Sequence, residues 1–313
     1  MNLVLLRNRP HFGAQITSLP VLYFFFLHHG KQEPLTLLSK SNVSWVYQQL
    51  PWIEECIHSN SKIEEIKKLC SCDNLLNLRP SNRLPVMLHK ILGKGKLFDL
   101  VKNDSLARLT SNTHNVLCTS EYRASAYLKI FIKDEQALLE HLSAPFLSLI
   151  KDSKLETKKA ELNILIMPGG GAGEIKKWGI ENFVSSSKSI AQSLNKSCHI
   201  NVLLGPDEKD EIVFMEKLIR SDNRFSLYIN IPIKDIAKLV DECDLTIAND
   251  CGPSHIAQCM QKPYIGLFRE PNTEWFLYHP KSIKILPQEG QGIKTLQPQA
   301  VIARAVTLLK SEV

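Results

Sequence analysis

Two stretches in the second half of the chain combine residue types that suit an anionic ligand. The first, residues 249–257, places Asp250, Gly252 and His255 directly after the apolar segment 244–248. A carboxylate accepts hydrogen bonds from ribose or sugar hydroxyls, and an imidazole can bond or pair with a diphosphate. A glycine lets the backbone come close to a ligand. The blander interpretation is that the aspartate caps a helix and the histidine is a satisfied, partly buried side chain.

The second stretch is a glycine-rich loop. It follows the mostly apolar residues 163–167 and contains Gly169, Gly170 and Gly171. Such glycines are unfavourable inside a helix or strand and suit a place where backbone amides approach an anion, with Lys176 or Lys177 adding positive charge. The pattern lacks the Gly-Lys-Ser/Thr of a P-loop and is not the dinucleotide fingerprint. A flexible surface loop is the alternative.

Both stretches fall where a predicted strand gives way to a helix. Short apolar strands alternate with amphipathic stretches along the chain, which predicts βαβ units, parallel sheets and an α/β fold. In open α/β sheets, ligands bind at the carboxyl ends of the strands. The chain of 313 residues is long enough for two domains. The charged run 151–161 is the best linker candidate, so we predict domains at 1–156 and 157–313.

The two stretches together resemble those of the ADP-heptose:lipopolysaccharide heptosyltransferase family. The likeness is carried by Gly-Gly-Gly-Ala-Gly-Glu-Ile-Lys-Lys-Trp at 169–178, by Asn-Asp-x-Gly-Pro-x-His-x-Ala at 249–257, and by the next strand at 262–268. The resemblance implies a GT-B fold, in which two Rossmann-like domains with parallel sheets face a central cleft. It also implies that the N-terminal domain binds the acceptor and the C-terminal domain binds the nucleotide-sugar donor.

The resemblance implies donor-binding roles for particular residues of the second half. They are Gly169, Gly170, Gly171, Lys176, Glu208, Asp250, Gly252 and His255. Lys176 matches the family's lysine that contacts the donor phosphates, and Glu208 is our preferred choice among the acidic residues that can hold the ribose. Cys251 replaces the family's usual threonine or serine, which removes a hydroxyl donor and leaves a weaker thiol donor.

The first half carries the resemblance faintly and departs from it at one position. In the family, the loop after the first strand ends in Gly-Asp six residues before a proline, and this aspartate is the proposed general base. Counting back from Pro20, the chain has Gly13 and then Ala14. A positioned base contributes about 10²–10⁴-fold to such a transfer. His11, in the same loop, is the best substitute because histidine titrates near neutral pH; the non-basic Gln15 is less suitable.

The function implied is transfer of a heptose from ADP-heptose to the lipopolysaccharide inner core. Lys176 and the glycine loop would stabilise the leaving ADP, and His11 would act as the base, unless it is only a surface histidine. The alternative is a catalytically impaired sugar-nucleotide-binding protein, which Ala14 favours, and a one-residue slip in the alignment is a further explanation. An epimerase of similar fold is disfavoured by the fit of both motifs. No Asp-x-Asp pair occurs, so we predict a metal-independent site with no cofactor beyond the ADP-sugar substrate.

The positive charge of the chain is unevenly distributed. The formal net charge is +6, and two aspartates accompany a cluster of cations in the segment 79–108. The cluster consists of Arg79, Arg83, Lys90, Lys94, Lys96, Lys102 and Arg108. It suits an anionic glycolipid acceptor at the membrane face, whereas a solvated helical face is the alternative. Nucleic acid is not expected as a partner, because no aromatic-interleaved basic motif accompanies the charge.

Composition predicts a globular protein of the cytoplasm. Hydrophobic residues make up 44% of the chain and charged residues 22%, which excludes a disordered chain. No segment reaches the ~20 apolar residues of a membrane span, and residues 19–27 are interpreted as the first buried helix. The eight cysteines form no C-x-x-C pair and indicate free thiols in a reducing compartment. We expect a cytoplasmic protein with a peripheral contact to the inner membrane.

Overall fold

The computed structural model describes residues 1–30, 32–81, 84–92, 95–103, 108, 111–171 and 173–311. The chain divides into two compact units, Met1–Pro145 and Phe146–Val313. Each unit contains one six-stranded sheet whose paired strands are parallel, so the predicted α/β fold with two Rossmann-like sheets is confirmed. Among the described residues, no helix combines the length and the apolar character that crossing a membrane requires.

The first unit begins with a buried strand. Its strands lie in the spatial order β3-β2-β1-β4-β5-β6. They are β1 Asn2–Leu5, β2 Leu35–Ser39, β3 Ile53–His58, β4 Asn74–Asn77, β5 Lys96–Val101 and β6 Thr113–Val116. The helices are α1 Phe12–Ile16, α2 Leu19–His28, α3 Ser44–Tyr47, α4 Lys62–Ser71, α5 Leu84–Leu92, α6 Arg123–Leu128 and α7 Glu135–Ile150. The last of these helices extends past the limit between the two units.

The second unit repeats the same order of strands, β12-β11-β10-β7-β8-β9. They are β7 Leu162–Met167, β8 Cys198–Leu204, β9 Phe225–Ile229, β10 Leu245–Asn249, β11 Tyr264–Leu267 and β12 Ser282–Ile285. The helices are α8 Ile180–Leu194, α9 Lys209–Ser221, α10 Ile233–Glu242, α11 Ser254–Cys259 and α12 Pro298–Lys310. The chain moves outward from β7 to β9 and then returns to β10 on the other side. The strand order therefore reverses between β7 and β10, where open α/β sheets bind ligands.

The predicted linker, residues 151–161, packs on the second unit. The Ser153 hydroxyl donates to Asp235 Oδ1 at 2.7 Å, and the Thr157 hydroxyl donates to the carboxylate of Glu242, both acceptors lying on α10. Along the chain, the limit between the two compact units falls between residues 145 and 146. The limit predicted from the sequence, between 156 and 157, lies within the second unit. The polar composition of this run reflects contacts with the charged face of a helix.

The core of the second unit forms around β7, β8 and β10. These strands are rich in aliphatic residues and almost completely buried, as expected when helices cover both faces of a parallel sheet. On one side of the sheet, Val301 and Ala305 of α12 pack in the same cluster as Phe183 of α8. The rigid sheet therefore fixes the positions at which the loops after β7 and β10 begin.

Candidate functional site

The two motif-bearing loops start side by side at the carboxyl edge of the second sheet. β7 and β10 are paired neighbours, with Ala248 opposite Met167. One residue further on, Asn249 Nδ2 donates to the carbonyl of Pro168 at 2.7 Å. This bond ties the start of one loop to the start of the other. The glycine loop and the Asn-Asp-Cys-Gly turn thus belong to one site at the point where the strand order reverses.

Lys176 and Asp250 form an ion pair across this site. Lys176 ends a short 3-10 turn, Glu174–Lys176, and its Nζ lies 2.5 Å from Asp250 Oδ2. Their side chains are 32% and 15% exposed, so both groups remain accessible to a ligand. Asp250 does not cap α11, whose N-cap residue is Pro253 and has no side-chain cap bond. The capping interpretation of Asp250 is therefore wrong, and the structure pairs it with a cation.

The neighbouring Lys177 has a different environment. Its Nζ lies 2.8 Å from Glu174 Oε1 and 2.8 Å from Glu211 Oε1. Burial acts to lower the pKa of Lys177, but the hydrogen bonds to both carboxylates outweigh it and raise the pKa above its usual value. Lys177 thus attaches the turn to α9, and Lys176 is the lysine that faces Asp250. Lys176 is thus the more accessible of the two lysines, and its contact with an anion stays a prediction.

Close packing explains why glycine occupies the loop after β7. A Cβ atom on Gly169 would lie 2.8 Å from Glu208 Oε1. One on Gly170 would lie 2.6 Å from Lys177 Cγ and 2.8 Å from the carbonyl oxygen of Gly173. Gly171 has φ +30°, and a Cβ atom on it would lie 3.9 Å from the Cα atom of Cys251. The loop is therefore packed against its neighbours, and at the first two glycines any side chain would displace them.

Glu208 lies beside the glycine loop, as the sequence-based choice requires. It follows β8, the neighbour of β7, and its Oε2 accepts a hydrogen bond from the Gly205 amide at 2.8 Å. The Glu208 side chain is half-buried, whereas Asp207 is exposed. In Rossmann-like sites an acidic residue after the second strand holds the ribose, and Glu208 occupies this position. Its role in binding stays a prediction.

His255 is buried and uncharged at neutral pH. Only 2% of the residue is exposed, and burial lowers its pKa to about 4, while Asp250 and Lys176 act on it in opposite directions. The sequence allowed this histidine either to bond or to charge-pair with a diphosphate. Without a ligand the buried ring is neutral, and its contact with a diphosphate stays a prediction. Gly252 is half-buried and accepts the His255 amide through its carbonyl at 3.3 Å.

Cys251 replaces a hydroxyl side chain at the centre of the site. Its Sγ approaches the Met167 carbonyl at 4.0 Å, and burial raises the pKa of the thiol to about 12. A thiol with such a pKa is neutral and unreactive at physiological pH. The side chain therefore contributes packing between the two loops and a weak donor directed at β7.

The candidate base lies in the first unit. His11 is exposed and precedes α1, and Ala14 lies within that helix, so the position of the family aspartate carries a methyl group. Gln15 is buried, its amide donating to the Arg9 carbonyl and accepting from the Tyr47 hydroxyl at 2.6 Å. Both ends of the carboxamide are therefore engaged within the unit. Of the two substitutes named from the sequence, only His11 remains accessible to solvent.

Among the described members of the predicted basic cluster, one cation is internal. Arg79 is buried, with its Nη1 2.8 Å from Glu65 Oε1 and its other nitrogens donating to the Leu6 and Leu38 carbonyls, each at 2.8 Å. Its inclusion in a surface cluster was wrong, because its guanidinium satisfies carbonyls at strand ends. The exposed members are Lys90, Lys96, Lys102 and Arg108. Arg83 and Lys94 lie outside the described residues.

Sequence reasoning missed two amides that organise the site. Asn249 joins the loops, and Gln258 contacts His255 Nδ1 at 3.2 Å while accepting from the Leu277 amide at 2.8 Å. The available signal was an amide at the end of a buried strand and another one helical turn after a candidate histidine. Among the described side chains, no three His, Cys, Asp or Glu groups are placed to share a metal ion.

The chain has two Rossmann-like units. The second carries a glycine loop and a Lys–Asp pair at the switch point of its sheet, where doubly wound α/β proteins bind their ligands. The chain belongs to glycosyltransferase family 9 (heptosyltransferase), whose family model matches residues 128–299. The resemblance noted in the sequence is thereby confirmed.

Individual relatives are distant in sequence and similar in fold. Lipooligosaccharide heptosyltransferase 2 of Campylobacter jejuni is 25% identical over 214 residues, which is 57% of this chain and 66% of that protein, slightly less than two thirds of its length. The structure of E. coli ADP-heptose lps heptosyltransferase II matches with a TM-score of 0.65 at 15% identity, over 99% of both chains. E. coli heptosyltransferase WaaC with ADP matches with a TM-score of 0.64 at 14% identity, over 98% of this chain and 100% of that chain. These structures establish the shared fold.

Proposed function

We propose that the protein transfers a heptose from ADP-heptose to a sugar hydroxyl of the lipopolysaccharide inner core. The observation that carries this proposal is the Lys176–Asp250 pair, 2.5 Å apart, at the meeting point of the two loops. Family membership supports a heptosyl donor, and the packed glycine loop suits a diphosphate. The reaction would take place at the cytoplasmic face of the inner membrane.

The second unit would bind the donor and stabilise its departure. In the reaction, the acceptor oxygen attacks the anomeric carbon of the heptose, the bond from that carbon to the diphosphate oxygen breaks, and ADP leaves. Lys176 and the loop amides would stabilise the negative charge that grows on the diphosphate. Asp250 and His255 would orient the donor, and Glu208 would hold the ribose. Metal independence stays a prediction, which full activity in EDTA would support.

The first unit would bind the acceptor and remove its proton. His11 is the proposed base, since Ala14 supplies no carboxylate and Gln15 is engaged elsewhere. The exposed cations Lys90, Lys96 and Lys102 would contact the anionic groups of a phosphorylated glycolipid. This arrangement would place the acceptor side of the protein against the membrane surface.

A second candidate function is donor binding without efficient transfer. The observation in its favour is Ala14, which lies within α1 where the family has its proposed base. Calorimetry with ADP and a turnover assay with ADP-heptose and truncated core acceptors separate the two candidates. Transfer that falls on changing His11→Ala supports the transferase. If the protein binds ADP without turnover, and His11→Ala leaves that binding unaffected, the result supports a binding protein.

The central experiment compares two lysines in matched ion pairs. Lys188 pairs with Asp222 at 3.0 Å with side chains 33% and 13% exposed, almost the same exposure as the Lys176–Asp250 pair. We expect Lys176→Ala to lower kcat/KM for ADP-heptose by about 10²–10³-fold, the usual cost of removing one group that stabilises developing charge. Lys188→Ala should leave it within about twofold, because Lys188 lies on α8 and Asp222 directly follows α9, away from both loops. Equal activities of the two variants would contradict the site assignment.

A further inference from the structure

We infer that Gln258 fixes the tautomer of His255, so that the imidazole presents a protonated Nε2 as a neutral hydrogen-bond donor at the nucleotide site. Gln258 is thus a positioning residue, acting through His255. The assignment of the proton follows from hydrogen bonds within the second unit. The consequence for the donor diphosphate rests on the proposed function.

The orientation of the Gln258 carboxamide is set by the backbone. Gln258 is fully buried, and its Oε1 accepts the Leu277 amide at 2.8 Å. A backbone N–H can only donate, so the oxygen of the carboxamide must face it. The opposite orientation would place an NH₂ group against an N–H and leave two buried donors without an acceptor, which is costly.

This orientation determines which ring nitrogen of His255 carries the proton. With the oxygen held by Leu277, Gln258 Nε2 faces His255 Nδ1 at 3.2 Å. An amide NH₂ has no lone pair to offer, so Nδ1 must be the acceptor. In a neutral imidazole the proton then sits on Nε2. Two residues one helical turn apart on α11 thus set the polarity of the ring.

The same contact opposes protonation of the ring. An imidazolium would carry a proton on Nδ1 that points at the NH₂ group of Gln258, and burial disfavours the charge as well. The charged groups that bear on the ring are Asp250, from the loop after β10, and Lys176, from the turn after β7. The Trp275 ring lies against the imidazole with centroids 5.6 Å apart. His255 therefore stays a donor through Nε2 across the neutral pH range.

The direct test is the nitrogen spectrum of the histidine in the ligand-free protein. Long-range ¹H–¹⁵N correlation of histidine-labelled protein gives the protonation state of each ring nitrogen, and His255→Asn assigns the signal by its disappearance. We expect an unprotonated Nδ1 and a protonated Nε2 at pH 6 and at pH 8. A proton on Nδ1 at either pH, or averaged nitrogens, would overturn the inference without using any variant of Gln258.

A variant that reverses the polarity tests the role of Gln258. Gln258→Glu keeps the acceptor for Leu277 and replaces the donor to His255 by an acceptor. The proton should move to Nδ1, and ADP should bind about tenfold more weakly at pH 8, because a hydrogen bond to a charged group is lost. At pH 6 an imidazolium restores the Nε2 proton, so the ADP affinity becomes pH-dependent. Unmoved nitrogen signals, or a moved proton with unchanged ADP affinity, would refute the proposed role.

Gln258→Met provides the matched control of similar size. It removes both polar contacts, so both tautomers become populated and ADP should bind within about threefold of the unchanged protein. Its ADP affinity should not depend on pH, in contrast to Gln258→Glu. If the unchanged protein fails to bind ADP while its nitrogen spectrum is as expected, the proposed function fails and the tautomer assignment stands.

Discussion

The two units share one strand order, yet different side chains occupy the edge of each sheet at which its strands end. In the first unit, the buried guanidinium of Arg79 donates to the Leu6 and Leu38 carbonyls and pairs with Glu65. In the second unit, the corresponding edge carries packed glycines and the partly exposed Lys176–Asp250 pair. One edge is thus filled by the protein's own cation, whereas the other keeps a cation and a carboxylate accessible.

The difference shows that one strand order can carry two different arrangements of side chains at its carboxyl edge. The reversal of strand order offers a crevice in both sheets, but a buried arginine satisfies the first crevice internally. A buried ion pair with bonded nitrogens contributes to a defined local structure, and removing one partner is costly. The accessible cation–carboxylate pair therefore lies in the second unit, whereas the corresponding edge of the first unit is occupied by its own arginine.

The largest expected effect is on stability, at the sheet edge of the first unit that Arg79 occupies. Arg79→Met should lower the free energy of unfolding by about 3–5 kcal/mol, because Glu65 would remain buried without its partner. Denaturant unfolding measures the change. Arg224→Ala, which removes a guanidinium that is 48% exposed and bonded to Asp222, should cost less than about 1 kcal/mol. Similar losses for both variants would contradict the comparison.

The second prediction concerns acid sensitivity of the second unit. His255 and His279 each have a pKa lowered by burial to about 4, below the usual histidine value. The unfolded chain therefore binds more protons between pH 6.5 and 4, and stability falls as the pH is lowered through this window, by roughly 3 kcal/mol for each histidine. Unfolding of His255→Gln and His279→Gln across this range should show a smaller slope. An unchanged slope would show that these rings titrate normally.

A substitution of Gly170 should disturb the loop after β7 without affecting the rest of the fold. In Gly170→Ala the new methyl group would approach the Gly173 carbonyl oxygen to 2.8 Å, so the backbone must shift at a cost of about 1–3 kcal/mol. We expect a corresponding loss of ADP affinity by calorimetry, with the first unit unaffected. Gly292→Ala has open space around the new atom and should bind ADP normally. Normal ADP binding by Gly170→Ala would show that this loop does not bind the nucleotide.

The smallest expected effect comes from restoring a hydroxyl at the centre of the site. Cys251→Thr would supply a donor where the thiol is weak, and one neutral hydrogen bond contributes about 0.5–1.5 kcal/mol. ADP affinity should therefore rise by about 2–12-fold in the same calorimetric assay. Cys251→Ala is the control and should not gain affinity. Weaker binding in both variants would indicate that Cys251 acts through packing alone.

Much of the fold follows from local patterns in the sequence. The first buried helix expected at 19–27 is α2, and the apolar segments 163–167 and 244–248 largely coincide with β7 and β10. β3 and β5 are harder to find in the sequence. The first contains Glu54 and Glu55 in a half-exposed edge strand, and the second begins with the exposed Lys96. Charged residues obscure the apolar pattern of these two segments in the sequence. Pairing with the neighbouring strands nevertheless stabilises both segments as strands.

The sequence by itself determined the two βαβ halves, the family and the two loops of the candidate site, because strand periodicity and glycine spacing are local properties of the chain. Only the tertiary structure decided that Lys176 pairs with Asp250 while Lys177 serves the packing, that Arg79 is internal, and that His255 is neutral. Those outcomes depend on burial and on contacts between residues far apart in the chain. Charge state and pairing are set by these surroundings, which residue type and spacing alone do not specify.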